Sequence, residues 1–463
     1  MNSKLENNNS ERTIELNDKT CDKRRYSAAV INLGCKVNRY EADSMRKLMA
    51  DSGIVLVEPE EVADFYIVNT CSVTNIAERK SRQMLRRAKR RNPAAVVIAA
   101  GCYVNAAHDE LLGLDFVDAV IGNDKKKNIM DVLKNYIEDS RVDNCDGDIV
   151  NDKHNKADVY VGIDKSGSFE EMGALTASYL DHQRAYIKVQ DGCNQFCSYC
   201  IIPYTRGRIR SRETGNVIEE ITVLAKSGVK EFVLTGIHVS SYGKDFDEDV
   251  DLGDLICEVA KIPEVERIRL GSLEPRIITS LFLDKIAKVD KLCPHFHLSL
   301  QSACNETLKR MNRKYTIEEY MECVKLLRSY FDRPAITTDV IVGFPGETEG
   351  EFETTLNNLK KIHLYEIHVF KYSVRNGTVA QKLPNQVPEN VKNERSDILL
   401  ELTAKQKREY EESLVGLKDE VLIEEPTEVQ ESGKMYTGYT KRYVRVNVEN
   451  DTDIVGEVIP YTF

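Results

Sequence analysis

Three cysteines, Cys193, Cys197 and Cys200, stand in a C-x3-C-x2-C pattern. Three thiolates on one short loop can grip three corners of a 4Fe–4S cube. The fourth iron is then open to a substrate or cofactor. A structural zinc site is the competing reading. Zinc normally takes four N or S ligands, and the nearest histidine before the three is His182.

Cys35, Cys71 and Cys102 are far apart in the chain but share one setting. Each closes a strand-like run: AAVINLGC, DFYIVNTC and VVIAAGC. In an open parallel sheet the carboxyl ends of strands lie side by side, and ligands bind in the crevice there. Three cysteines in that position should converge on a second cluster. Gly34 and Gly101 would let the chain turn sharply beside it. Asn38 and Asn69 could donate hydrogen bonds to cluster sulfur or simply shape turns. The bland alternative is three buried apolar cysteines.

The elements that must position these residues are legible from periodicity. A chain of 463 residues is long enough for two to four domains. Residues 1–24 are polar and read as a disordered tail. Residues 25–139 alternate strands and helices, with strands at Ala28–Leu33, Phe65–Val68, Ala95–Ala100 and Ala119–Ile121. This is an open parallel α/β domain. Residues 140–180 are rich in Asp, Asn, Lys, Gly and Ser and read as a linker or insert. The alternation returns over 181–413, with six strands expected near 185–189, 231–235, 267–270, 295–300, 335–342 and 365–370. Six βα units suggest an open or closed parallel barrel of the TIM type, a partial (βα)6 barrel being the open form, and residues 391–413 look like a charged amphipathic helix. Residues 414–463 turn to β, with strands at Glu420–Glu424, Tyr436–Val448 and Ile454–Pro460, and read as a small all-β module. The fold class is α/β with this β module appended.

The formal net charge is -11. The total argues against nucleic acid, but the charge is segregated. Arg79, Lys80, Arg82, Arg86, Arg87, Lys89, Arg90 and Arg91 form a run without an intervening acid. Arg206, Arg208, Arg210 and Arg212 follow the cysteine loop. The C-terminal module interleaves Tyr436, Tyr439 and Tyr443 with Lys441, Arg442 and Arg445. Cations that meet phosphates and rings that stack on bases suit RNA. A solvated face and ordinary β propensity are the alternatives. No run of eighteen apolar residues occurs, so no membrane span is expected. Twelve cysteines in a reducing, cytoplasmic setting point to metal or catalysis rather than disulfides.

DGCNQFCSYC, residues 191–200, resembles the cluster loop of the radical S-adenosylmethionine superfamily. The resemblance implies a 4Fe–4S cluster on Cys193, Cys197 and Cys200 whose free iron chelates S-adenosylmethionine. It also implies one-electron cleavage to a 5′-deoxyadenosyl radical, with Tyr199 packed near the adenine. GCKVNRYEAD, NTCSVTNIAERK and AAGCYV resemble the amino-terminal domain of the methylthiotransferases. That implies an auxiliary 4Fe–4S cluster on Cys35, Cys71 and Cys102, whose free iron carries the sulfur to be inserted. DVIVGFPGET approximates the superfamily's G-x-I-x-G-x-x-E adenine pattern. Asp339 replaces its first Gly, and Glu347 comes one residue late. Thr235, Gly236, Ser272, Glu274, Gln301, Asp339 and Gly343, on strand-end segments, are expected in the cofactor pocket, with turn or capping roles as alternatives. The last module resembles the TRAM domain, a small RNA-binding β-barrel.

The resemblance is to the branch acting on N6-threonylcarbamoyladenosine at position 37 of tRNA, which would receive a methylthio group at carbon 2. Arg82, Arg86, Arg87, Arg90, Arg206, Arg208, Tyr439, Lys441 and Arg442 are then the expected contacts to the tRNA anticodon loop. An electron donor such as flavodoxin or ferredoxin and a sulfur source are implied as partners. Two other readings stand beside this one. The same chemistry could act on isopentenyladenosine or a ribosomal-protein aspartate. Alternatively, the chain is a non-catalytic, metal-stabilised RNA-binding protein.

Overall fold

A computed structural model describes residues 25–145, 158–162, 168–173, 175–176, 183–430 and 433–463. The tail expected at 1–24 and much of the expected insert lie outside the described residues. The N-terminal sheet has six parallel strands: β1 (Ser27–Asn32), β2 (Val55–Leu56), β3 (Phe65–Thr70), β4 (Val96–Gly101), β5 (Ala119–Ile121) and β6 (Asp158–Tyr160). Their order is β2-β1-β3-β4-β5-β6. β3 is buried at every position, as a central strand covered on both faces must be. Two apolar cores, one on each face, hold the helices to it.

The strand β6 comes from within the 140–180 stretch and pairs with β5 through Ala119↔Asp158 and Ile121↔Tyr160. Part of the expected linker is therefore sheet. Its low apolar periodicity hid this, because only three residues pair. Two further residues of the stretch pack on either side of the domain junction. Met172 joins the core of the first sheet and Leu175 that of the barrel.

The barrel comprises β7 (Arg184–Asp191), β8 (Arg210–Ser211), β9 (Glu231–Gly236), β10 (Arg267–Leu270), β11 (His295–His297), β12 (Ala335–Val342) and β13 (Glu366–Lys371). Six of these run parallel in chain order; β8 is a short antiparallel addition to β7. Isolated bridges Leu273↔Leu298 and Gln301↔Val340 carry the wall past the end of β11. That strand is shorter than the expected 295–300 because beyond His297 its pairing continues only as single bridges at Leu298 and Gln301. Its helices begin on side-chain caps: Asp251 with Asp254, Thr316 with Glu319, and Thr348 with Glu351 form reciprocal capping boxes. Each satisfies amide donors that a helix start leaves open. Helix Glu389–Ser413 packs against β13.

The C-terminal module has β14 (Lys418–Gln430), β15 (Gly433–Thr440), β16 (Arg445–Asn450) and β17 (Val458–Thr462), antiparallel in the order β16-β15-β14-β17. They curl about Val421, Ile423, Tyr436 and Ile454. The single strand expected over 436–448 is a hairpin. Tyr443, at φ 63°, turns the chain between β15 and β16. Among the described residues no helix is long and apolar enough to cross a membrane.

Candidate functional site

The first thiol site is built by sheet register. β1, β3 and β4 are neighbours, with Asn32 opposite Asn69 and Thr70 opposite Gly101. Strands lie about 4.8 Å apart, so residues just past their ends are brought together. Cys35 caps helix Lys36–Asp51, Cys71 follows β3, and Cys102 opens helix Cys102–Leu112. Two helix N-termini thus face the site, which favours an anionic occupant. The sharp entry depends on glycine. Gly34 sits at φ 112°, and a Cβ there would lie 2.9 Å from the Cβ of Cys71. Gly101 sits at φ 99°, and a Cβ there would lie 2.8 Å from Oδ1 of Asn69.

All three cysteines are free. Burial pushes the Cys71 thiol up to about 12 and also raises Cys35; both feel Cys102, and Cys71 feels Cys35 as well. Cys35 is nevertheless open to solvent. Three converging thiols and two helix starts fit a thiolate-held iron–sulfur group. The Asn38 backbone amide bonds the Cys35 sulfur, while the Asn38 and Asn69 side chains are engaged with carbonyls. Asn38 donates to the carbonyls of Leu33 and Thr70, and Asn69 to that of Asn38. Asn123, on another segment, approaches the Cys102 sulfur at 3.6 Å.

Beneath this site lies a buried charge network that joins the first domain to the barrel. Glu41 contacts Lys126, Lys188 and Arg206. Asp191 contacts Lys188, Arg206 and Arg210, and Arg210 also contacts Asp124. Burial alone would raise the Glu41 carboxyl, but the cations, Arg206 foremost, hold it well below the usual carboxylate range. Arg206 Nε also lies 3.3 Å from the Cys102 sulfur.

The second thiol site is local. Cys193, Cys197 and Cys200 lie on the loop after β7. The loop is pinned from outside: Ser198 donates from its backbone N to Met311 O at 3.0 Å, and Asn312 Nδ2 to Phe196 O at 2.9 Å. Arg313 Nη1 stands 3.3 Å from the Cys197 sulfur. Burial raises the Cys193 and Cys200 thiols to about 11 and about 12. A cavity of about 140 Å³ is lined by the three cysteines together with Tyr199, Ser272, Glu274 and Gln301. Tyr199 packs edge-on against Phe344.

The other residues expected in that pocket do not line this cavity. Thr235 is buried in the wall. Gly236 abuts the Gln190 side chain. Asp339 faces His297 at 3.2 Å, and the Gly343 amide donates to Glu347. Sequence reasoning missed Arg313, Gln195 and His238, which do line it. His238 sits in the LTGIHVSSYG strand-end loop and carries that positional signal. Arg313 lies between two helices and carries none.

The two thiol sites are joined through consecutive residues. The Cys193 amide donates to Gly207 O at 3.1 Å, and Arg206 reaches Cys102. Across the barrel seam, Arg375 donates to Val73 O and Asn75 Oδ1 of the Cys71 loop.

Several expected RNA contacts are corrected. Arg206 is 0% exposed and its donors are spent inside; Arg210 and Arg212 are buried as well. Arg208 alone of that patch is exposed, over the Phe196 ring. Arg442 is buried and donates to Asp419 and to the carbonyls of Asp332 and Arg333. Lys441 pairs with Glu420. Tyr439 stacks on Tyr443, and Arg184 lies against both rings. Tyr439, Arg442 and the Lys441 carbonyl, which accepts from Arg269, hold the C-terminal module to the barrel at its hairpin turn. The basic helix Asn75–Arg91 differs. Arg79, Arg86, Arg87 and Arg90 are exposed along one groove, while Lys89 is spent on Asp118 and Arg82 on Glu110.

Comparison with known proteins agrees with this layout. Residues 187–359 match the Radical SAM superfamily and residues 27–122 match Uncharacterized protein family UPF0004. The chain is 38% identical over 94% of its length to the threonylcarbamoyladenosine tRNA methylthiotransferase MtaB of Bacillus subtilis, covering 92% of that protein. It is 39% identical over 84% of its length to the protein of the same name in Aquifex aeolicus, covering 91% of it. It is 33% identical over 93% of its length to the tRNA-2-methylthio-N(6)-dimethylallyladenosine synthase of Alkaliphilus oremlandii, covering 88%. In fold it resembles the radical S-adenosylmethionine methyltransferase TsrM of Kitasatospora setae, with TM-score 0.56 at 16% identity over 77% of each chain.

Proposed function

The chain belongs to the radical S-adenosylmethionine tRNA methylthiotransferases, and from that membership we propose that it modifies carbon 2 of N6-threonylcarbamoyladenosine at position 37 of tRNA. Family membership brings a 4Fe–4S cluster and S-adenosylmethionine, which supply the one-electron chemistry that opens an inert C–H bond. Cys193, Cys197 and Cys200 are the proposed ligands of that cluster. The cavity beside them, with Tyr199, Ser272, Glu274 and Gln301, is the proposed cofactor seat. Cys35, Cys71 and Cys102 are the proposed ligands of a second 4Fe–4S cluster.

The observation that carries this reading is the joining of two thiol sites through Arg206 and Gly207 at one barrel mouth. The protein's own work is proximity, which converts a meeting of three partners into a step within one complex. The target base must leave its stack to enter the mouth. Arg79, Arg86, Arg87 and Arg90 offer the exposed cations to hold the phosphates around it. A flavodoxin- or ferredoxin-like electron donor and a sulfur source complete the cycle. The names of the first relatives favour the threonylcarbamoyl substrate over the dimethylallyl one.

The test is mass spectrometry of nucleosides from tRNA of cells with and without the protein. The 2-methylthio derivative of N6-threonylcarbamoyladenosine should disappear on deletion. Loss of the dimethylallyl counterpart instead would overturn the substrate. Anaerobic reconstitution should give about eight irons per chain; about four would remove the second cluster.

A further inference from the structure

We propose that Arg206 is a positioning residue for the first thiol site, where its N–H bond to the Cys102 sulfur sets how readily a cluster held there takes up an electron. This rests on the reading of Cys35, Cys71 and Cys102 as cluster ligands. The guanidinium is fully buried. Its Nη groups are committed to Asn38 Oδ1 at 2.8 Å, to Glu41 at 2.8 and 3.0 Å, and to Asp191 at 3.2 Å. The Nε donor is left for sulfur, at 3.3 Å.

Charge arithmetic supports the same assignment. The network holds three carboxylates, Glu41, Asp124 and Asp191, and four cations, Lys126, Lys188, Arg206 and Arg210. Without Arg206 each carboxylate still contacts a cation: Lys126 and Lys188 at Glu41, Lys188 and Arg210 at Asp191, Arg210 at Asp124. The network thus holds one cation more than its three carboxylates, and Arg206 is the one of the four whose side chain bonds a cysteine sulfur. Glu170, at the edge of the network, is pushed up to about 7 by burial in spite of Lys188, so it offsets that excess only in part. A surplus buried cation is costly unless an anion lies beside it. The sulfur that Arg206 bonds is that of Cys102, with Cys35 and Cys71 also within its field, and each is anionic once it binds iron. Adding an electron makes a cluster more negative, so a cation bonded to its ligand favours the reduced form.

The experiment uses the full chain carrying Cys193→Ala, Cys197→Ala and Cys200→Ala, so that only the first thiol site remains. It is loaded anaerobically with ferrous iron and sulfide, then titrated with reductant while paramagnetic resonance reads the reduced cluster. Adding Arg206→Met should lower the reduced-to-oxidised ratio about tenfold at a fixed potential, equivalent to about 59 mV for one electron. Arg206→Lys, which keeps the charge but not the fork, should fall between. In the otherwise native chain, Arg206→Met should keep 5′-deoxyadenosine formation and lose methylthio product. An unmoved ratio in Arg206→Met, with or without a lower melting temperature, would overturn the proposal and leave Arg206 a packing residue. Failure of the triple-alanine chain to retain iron would instead remove the ligand reading on which the proposal stands.

Discussion

The two thiol sites differ in how the chain makes them. Cys193, Cys197 and Cys200 lie within eight residues of one loop, and their spacing survives any rearrangement that keeps that loop. Cys35, Cys71 and Cys102 meet only because β1, β3 and β4 pair in register. The first kind of site is encoded locally; the second is a property of a folded sheet. The supporting charges differ in the same way. Among the described residues, Arg313 is the charged side chain that hydrogen-bonds a sulfur of the loop site. The sheet site stands on seven buried charged groups drawn from both domains: Glu41, Asp124, Lys126, Lys188, Asp191, Arg206 and Arg210. A site assembled from afar needs its surroundings fixed as well as its ligands.

The largest effects should come from removing one ligand at each site. Cys197→Ala should bring 5′-deoxyadenosine formation to background. Cys102→Ala should leave cleavage measurable while abolishing the methylthio nucleoside. Equal loss of both products in both variants, with equal loss of melting temperature, would erase the distinction. Next in size is Glu41→Gln. It leaves Lys126, Lys188 and Arg206 facing a neutral amide, and breaking such a pair costs about 3–5 kcal/mol. Iron should fall selectively at the sheet site, read as a drop toward half the iron of the native chain. Retention of full iron content would show that the network is not needed to hold the sheet site.

A smaller effect is expected from Arg86→Ala, Arg87→Ala and Arg90→Ala combined. Each lost phosphate contact lowers the salt slope of tRNA binding by roughly 0.7–0.9. The triple variant should therefore lose about two to three units of slope, measured by filter binding across salt, with cofactor cleavage unchanged. The smallest effect near neutrality concerns His238 in the cofactor cavity. Burial, then Lys244 and Arg313, push its imidazole down to about 4. A folded value below the ordinary 6.5 means that its stabilising share is present above about pH 6.5 and is lost as pH falls toward 4. Cofactor affinity by calorimetry should be flat from pH 6.5 to 8. His238→Gln should remove part of the acid-side loss of stability.

The sequence made some of this legible for physical reasons. The loop site shows in spacing because the chemistry is local. The sheet site shows because a parallel strand ends where ligands gather, so AAVINLGC, DFYIVNTC and VVIAAGC share one position in their units. Arg206, Arg210 and Arg212 misled because an alternating basic run looks the same whether its cations face water or buried carboxylates on distant elements. Their partners Glu41, Asp191, Asp124 and Glu220 are separated from them by up to 165 residues. Tyr439, Lys441 and Arg442 misled for the same reason, since their neighbours Arg184, Arg269, Asp332 and Arg333 belong to the barrel. The β6 strand was illegible because three residues of edge pairing leave no period to read.

The barrel floor is shut by a neighbour. Tyr443 lies against His295 and Arg269, beside the Arg184–Glu231 pair, all four barrel residues nearly or wholly inaccessible. The hairpin turn of one module is therefore the stopper in the other's floor. Loosening that turn would wet four buried polar side chains at once, so the barrel leans on a segment that lies more than seventy residues beyond its last strand.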